Sequence, residues 1–185
     1  MRLYLIRHGE SQANLEKLWS GWNDVPLTDK GFEDAKKAGE YLKGIEFDKI
    51  FASDLSRAQN TAKTAIPNCE FEVTPLLREI NVGNLVGTPF TSEHYYKIET
   101  NGYVDFEGES LEDMKNRVKS FMNMIKSPMP TTIAAFTHAG FLRTFLDVTV
   151  GIRLSRQSVL CRNCAIAIFE YDNKTWRLHS WINLE

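Results

Sequence analysis

Cysteine is scarce in this chain. Three in 185 residues, an odd number, set up no disulfide framework and fit a reducing cytoplasm. An excess of charge of one sign is lacking too. A formal net charge of -2 and a pI near 6.1 give no general pull toward nucleic acid or an anionic lipid surface, so any anion must be held locally. No apolar run reaches the length of a membrane span. The opening Met1-Arg2-Leu3-Tyr4-Leu5-Ile6-Arg7-His8 is too short and too charged for a signal peptide and carries no small-residue cleavage site. These absences set the expectation of a cytoplasmic protein with a small-molecule partner. There is no Gly-x-x-x-x-Gly-Lys-Ser/Thr loop, which argues against a P-loop nucleotide hydrolase, and no His-Glu-x-x-His spacing, which argues against a metallohydrolase. Neither a metal nor a cofactor is expected. Cys161-Arg162-Asn163-Cys164 has the spacing of half a zinc site or of a redox pair, but it stands alone and leads into a predicted strand, so the two read as buried structural cysteines. No repeat, low-complexity tract or Pro/Gly-rich linker divides the chain. At 43% hydrophobic and 25% charged residues, 1–185 reads as one ordinary domain with a lid or insert over 84–108.

What the chain does have is an alternation of two patterns. Residues 3–7, 49–53, 71–75 and 132–137 are short apolar runs of the kind found in strands buried on both faces of a largely parallel sheet. Between them lie helical stretches. Residues 28–42 place Phe32, Ala35, Ala38 and Leu42 on one face, with Thr28 as N-cap and Gly44 as stop signal. Residues 55–66, 110–125 and 140–150 read the same way, and 163–171 with 175–182 reads as a hairpin turning through Asp172-Asn173-Lys174. The class is α/β, in which ligands bind beyond the carboxyl ends of the strands. Arg7-His8, Ser53-Asp54 and Thr137-His138 each stand where a predicted strand gives way to a helix, so three segments are expected to converge on one rim.

That rim has the parts for phosphoryl transfer without a metal, which needs fixed cations, hydrogen-bond donors and an in-line nucleophile. A neutral His8 offers one ring nitrogen for attack while the other is oriented by a hydrogen bond. Arg7 beside it and Arg57 in the first turn after the second strand can clamp oxygens bidentately. His138 adds a donor from the opposite side and, if protonated, charge. Glu79 in Leu77-Arg78-Glu79-Ile80 is the candidate acid that protonates the leaving oxygen and then activates water. Each has a plain structural reading taken alone, as a solvated strand end, a surface helix residue or a satisfied histidine; their ordered company favours chemistry.

Five blocks carry a family resemblance: Arg7-His8-Gly9-Glu10-Ser11, Leu27-Thr28-Asp29-Lys30-Gly31, Ser53-Asp54-Leu55-Ser56-Arg57-Ala58, Leu77-Arg78-Glu79 followed by Gly83 and Gly87, and Thr137-His138-Ala139-Gly140. In this order they resemble the histidine phosphatase, or phosphoglycerate mutase-like, superfamily over nearly the whole chain. The resemblance implies a three-layer α/β/α sandwich around a mostly parallel sheet, no metal ion, His8 as the phosphorylated histidine, Arg7, Arg57 and His138 as the rest of the phosphate pocket, and Glu79 as proton donor. Asn14 stands where the family places an asparagine against the phosphate, and Ser20-Gly21-Trp22 resembles the mutase loop whose serine and glycine touch substrate. The plainer alternatives are a capping role for Asn14 and a core position for Trp22.

Mutase and phosphatase differ in what they must grip. A mutase holds a doubly phosphorylated intermediate and needs cations for the second phosphate. Residues 84–108 offer only Lys97 against Glu93, Glu99, Asp105 and Glu107, and Gly140 departs from the asparagine that the mutases carry after their His-Gly pair. Phe90, His94, Tyr95, Tyr96, Tyr103 and Phe106 can form a wall for an uncharged or aromatic leaving group or pack the lid onto the domain. Hydrolysis of a small phosphate monoester is the expectation; a bisphosphate-dependent phosphoglycerate mutase and a non-catalytic phosphate-binding module are the alternatives. Gly108-Glu109-Ser110 resembles a block of the phosphatases; Glu109 either reaches the pocket or, the favoured reading, supports the N-terminal turn of the helix that follows. An exposed strand edge would permit a homodimer.

Overall fold

The computed structural model describes residues 1–126, 130–151 and 159–184. The apolar runs become β1 (Arg2–Arg7), β2 (Lys49–Ser53), β3 (Glu72–Thr74) and β4 (Thr132–Thr137), and the hairpin becomes β5 (Ile166–Asp172) and β6 (Thr175–Ile182). They form one sheet in the order β3-β2-β4-β1-β5-β6. The first four strands of that order run parallel, with β1 in register with β4 from Arg2↔Thr132 to Arg7↔Thr137, while β5 and β6 join antiparallel. Register matters here, because it brings Arg7 level with Thr137 and so sets His8 beside His138.

Strand β1 lies in the middle and is buried on both faces, as its unbroken apolar run requires. Leu3 and Leu5 enter one core cluster and Tyr4 and Ile6 the other. On the first side pack α5 (Leu111–Met124) and α6 (Ala139–Val150), through Met114, Val118, Phe121, Phe141, Leu142 and Phe145. On the second pack α2 (Asp29–Leu42) and α3 (Ser56–Ala65), through the small residues Ala35, Ala38, Ala62 and Ala65. Helices on both faces make the expected three-layer α/β/α sandwich.

Several local expectations shift. Thr28 caps α2 by accepting from Gly31 N, but Phe32 is 38% exposed and Gly31 takes the buried face instead. A side chain cannot stand there, because a Cβ on Gly31 would lie 2.1 Å from the Glu10 carbonyl oxygen, and one on Gly9 would lie 2.2 Å from the Gly31 oxygen. The start of α2 is thus pressed against the loop that follows His8. At the sheet edge, β3 is not buried on both faces, since Val73 is 50% exposed; Pro75 ends it by opening a 3₁₀ turn, Pro75–Leu77. Strand β5 begins at Ile166 rather than at residue 163, which releases Asn163 and Cys164 to bond to His8. Two short elements join these: α1 (Gln12–Leu15), capped reciprocally by Ser11 and Asn14, and α4 (Ser92–Asn101), capped by Thr91. The 84–108 segment is fastened by aromatics, with Phe90 and Tyr103 edge-on to Trp19 at 4.6 and 5.5 Å and His94 against Phe106 at 5.6 Å. The described aromatics of that segment therefore pack against Trp19 and against one another. Among the described residues no helix is long and apolar enough to cross a membrane.

Candidate active site

The site lies at the carboxyl ends of β1, β2 and β4. His8 follows β1 directly, and its backbone is held on both sides: His8 N donates to Thr137 O at 2.9 Å, and His8 O accepts from Cys164 N and Asn163 Nδ2, each at 3.2 Å. The ring is oriented by the contact of Nδ1 with Gly9 O at 2.7 Å. A carbonyl can only accept, so Nδ1 carries the hydrogen and Nε2 keeps the lone pair. His138, the N-cap residue of α6, is fully buried, and its ring centroid is 5.0 Å from that of His8 at an interplanar angle of 59°.

Two guanidinium groups flank the rings. Arg57 is 0% exposed, an extreme position for a cation, and donates from Nη1 to Asn23 O at 2.9 Å and from Nη2 to Gly21 O at 2.8 Å. Arg7 donates from Nη1 to Cys161 O at 2.6 Å and from Nη2 to Asn14 Oδ1 at 3.4 Å. Among the described residues neither is ion-paired with a carboxylate. Both ring nitrogens of His138 and the Nε of Arg7 and of Arg57 are buried with no hydrogen-bond partner among the described residues. Unpaired buried donors cost several kcal/mol in general unless something satisfies them, and donors with positive charge gathered in one place suit an oxyanion.

Burial, then the charge of Arg57 and Arg7, holds His8 well below the usual histidine range; burial, then Arg57, His8 and Arg7, does the same to His138. Both rings are therefore neutral near pH 7, and His138 brings a hydrogen-bond donor rather than charge. Desolvation lowers Arg57 to about 10, which leaves it charged at neutral pH.

Glu79 reaches the same rim from the loop after the 3₁₀ turn. Its Oε1 accepts from its neighbour Ile80 N at 2.8 Å and its Oε2 from Gly140 N at 3.1 Å. Gly140 has no room for a side chain at the present carboxylate position, since a Cβ would fall 2.0 Å from Glu79 Oε1. That contact gives a local reason for glycine at 140. Arg78, next to Glu79, makes a bidentate contact from Nε to Asp54 Oδ1 and Oδ2 at 2.8 and 3.0 Å and stacks on Trp22 at 4.7 Å. Trp22 is thus no core residue: it is 38% exposed and donates from Nε1 to Glu79 O at 2.7 Å.

The remaining predicted residues gather with unequal roles. Asn14 does cap α1, and its Oδ1 also accepts from Asn163 Nδ2 at 3.0 Å and from Arg7. Gly21, at φ +50°, meets Arg57 through its carbonyl, and Ser20 lies half-buried in the same loop. Glu109 does not support the helix N-terminus, a task taken by Ser110 as N-cap; it forms a nearly buried ion pair with Arg117 at 2.8 Å. Sequence reasoning missed Thr61, which accepts from Gly9 N at 3.0 Å and donates to Arg57 O at 2.7 Å, and Asn163, which touches both His8 and Asn14. Neither had a signal beyond an ordinary polar side chain. Cys161 and Cys164 are buried free thiols, and among the described residues no group of three or more His, Cys, Asp or Glu is arranged to hold a metal ion.

A six-stranded, mostly parallel sheet between helical layers, with this rim, defines a phosphoglycerate mutase-like α/β protein. The histidine phosphatase superfamily (branch 1) matches residues 3–184, and the chain belongs to that family. It is 29% identical to the probable phosphoglycerate mutase GpmB of Enterobacter sp. (strain 638), over 98% of this chain and 90% of that one. The putative alpha-ribazole-5'-P phosphatase of Escherichia coli K-12 superposes with a TM-score of 0.84 at 26% identity, covering 100% of this chain and 99% of the other. YhfR of Bacillus stearothermophilus gives the same TM-score and identity over 96% and 95% of the two chains.

Proposed function

We propose that the chain is a phosphatase that hydrolyses a small phosphate monoester through a phosphohistidine on His8. The observation that carries this reading is the pair of buried neutral histidines, 5.0 Å apart, between two guanidinium groups with orphaned N–H donors. In the first step His8 Nε2 attacks phosphorus, the P–O bond to the leaving group breaks, and Glu79, protonated, gives its proton to the departing oxygen. In the second step the Glu79 carboxylate takes a proton from water. The hydroxide equivalent attacks phosphorus, the P–N bond breaks, and His8 returns to the neutral state. Arg7, Arg57 and the His138 N–H meet the charge on the equatorial oxygens in both steps. Asn14, with Oδ1 turned to protein donors, has its Nδ2 group for a phosphate oxygen, and the Ser20-Gly21 loop is set against Arg57 at the mouth.

Hydrolysis is favoured over transfer back to substrate by the lid. Lys97 is its one lysine or arginine, and it is engaged with Glu93 at 2.9 Å, so the segment offers a second phosphate no uncommitted cation, and Glu99, Asp105 and Glu107 leave its charge balance negative. The second reading, a phosphoglycerate mutase, draws on the name of the 29% identical relative. The two are separated by incubating the protein with 3-phosphoglycerate and its bisphosphate activator and following isomer against free phosphate. Release of phosphate from monoesters with chelator present supports the phosphatase. Bisphosphate-dependent isomerisation faster than hydrolysis would replace that reading with the mutase.

A further inference from the structure

We infer that Arg117, held by Glu109, is a positioning residue for the general acid: its guanidinium fixes the backbone on which Glu79 stands. This rests on the role proposed for Glu79. The segment after the 3₁₀ turn has no helix or strand to hold it, so its carbonyls need other partners. Arg117, on α5, supplies them. Its Nη1 donates to Leu76 O at 3.0 Å and Arg78 O at 2.7 Å, and its Nη2 donates to Glu79 O at 3.1 Å. One rigid planar fork thereby gathers three carbonyls of a four-residue stretch, a geometry that a lysine's point charge cannot reproduce.

Glu109 fixes the fork in turn, accepting from Nε at 2.9 Å and Nη2 at 2.8 Å. The same residue closes the far end of the segment: Glu109 Oε2 accepts from Asn81 N at 3.1 Å, and Glu109 N donates to Asn81 O at 2.8 Å. Both sides of Glu79 are therefore tied to a single ion pair whose side chains are 12% and 9% exposed. A fully packed domain could spend one such cation on stability alone. Here three of the fork's bonds go to carbonyls of the stretch that carries the acid, the others going to Glu109 and to Met114 Sδ on the same helix, and the carboxylate at the end of that stretch accepts from two backbone N–H groups. Misplacement of about 1 Å at a reacting group costs on the order of 100-fold.

Leaving groups of different basicity separate positioning from mere support. An activated ester such as 2,4-dinitrophenyl phosphate expels a weakly basic oxygen and needs no proton, whereas an alkyl phosphate needs the acid in full. The quantity to compare is kcat/KM, which reports the phosphorylation step and not the later release of phosphate from His8. For Arg117→Lys and Arg117→Met, kcat/KM for an alkyl phosphate should fall about 100-fold and for 2,4-dinitrophenyl phosphate less than about 3-fold, so that rate depends more steeply on leaving-group pKa. Glu109→Gln, which keeps an acceptor for Asn81 and neutralises the pair, should show the same pattern more weakly. Arg117→Lys retains a cation beside Glu109, so the series can be read on it even where Arg117→Met does not fold. Equal losses on both esters, with an unchanged leaving-group dependence and a lowered Tm, would overturn the inference and leave Arg117 as structural support. Failure of the unsubstituted protein to turn over either ester would instead overturn the phosphatase reading beneath it.

Discussion

The most exacting consequence of the geometry concerns Gly140. A methyl group there would fall 2.0 Å from Glu79 Oε1 and 3.1 Å from Glu79 Cδ, where Cβ atoms essentially never approach closer than 3.0 Å. In Gly140→Ala the carboxylate must therefore retreat by about 1 Å or more, a displacement that costs on the order of 100-fold in rate, or about 2.7 kcal/mol of barrier. The backbone has no reason to resist. Gly140 lies in the first turn of α6, the obstructing atoms are the free end of a flexible side chain, and alanine is a better helix former than glycine by up to about 1 kcal/mol. The variant should thus melt at or above the Tm of the unsubstituted protein while its kcat/KM for an alkyl phosphate drops about 100-fold and that for 2,4-dinitrophenyl phosphate scarcely changes. Steady-state kinetics with both esters, beside a thermal melt, is the assay. Undiminished activity on the alkyl ester, or an equal loss on both, would refute the placement of Glu79 as the acid.

Other consequences follow from the buried groups. Burial and the two arginines depress His8 and His138, so the unfolded chain binds protons at these sites more readily than the folded one. Stability from this source is full above pH 6.5 and is lost as pH falls below it, at a rate approaching about 2.7 kcal/mol per pH unit for the two together; urea unfolding from pH 7 to 5 measures it, and a flat profile would contradict the burial of both as neutral rings. Activity should depend on pH, with an acid limb below the ordinary histidine range because burial and the two arginines keep His8 neutral there. A flat pH profile of kcat/KM would remove the acid-base roles. Burial drives the Cys164 thiol up to about 12 and raises Cys161, so neither should be alkylated by iodoacetamide at pH 8 until the protein unfolds; prompt labelling of Cys161 or Cys164 in the native protein, as distinct from the half-buried Cys69 and read by peptide mass spectrometry, would contradict the closed packing around the 161–165 turn.

Much of this arrangement is legible in the sequence itself. The strand limits at 49–53 and 132–137 coincide with the observed elements, because a strand buried on both faces is a plain apolar run with polar ends. The convergence of His8, Arg57 and His138 followed from the rule that parallel strands deliver their carboxyl ends to one rim. Where reading failed, tertiary contact had overridden local pattern. Phe32 has the right spacing to be core, yet the close approach of α2 to the loop after His8 admits only Gly31 on that face. Trp22 reads as part of the Ser20-Gly21-Trp22 loop or, alternatively, as core, and only the fold brings Arg78 onto its ring. Arg117 and Glu109 lie eight residues apart, outside the spacings that pair side chains along a helix, and their targets at 76–81 are distant in sequence, so no local pattern could announce them.

The central claim is that the phosphoryl group passes through His8. Brief incubation with an activated phosphate ester, quenching in alkali and mass spectrometry of the peptides tests it directly, since a phosphoramidate survives base and is lost in acid. The account predicts a base-stable, acid-labile phosphoryl group on the peptide bearing His8, absent from His8→Ala together with turnover. Undiminished hydrolysis by His8→Ala, or a phosphoryl group carried by another residue, would contradict it.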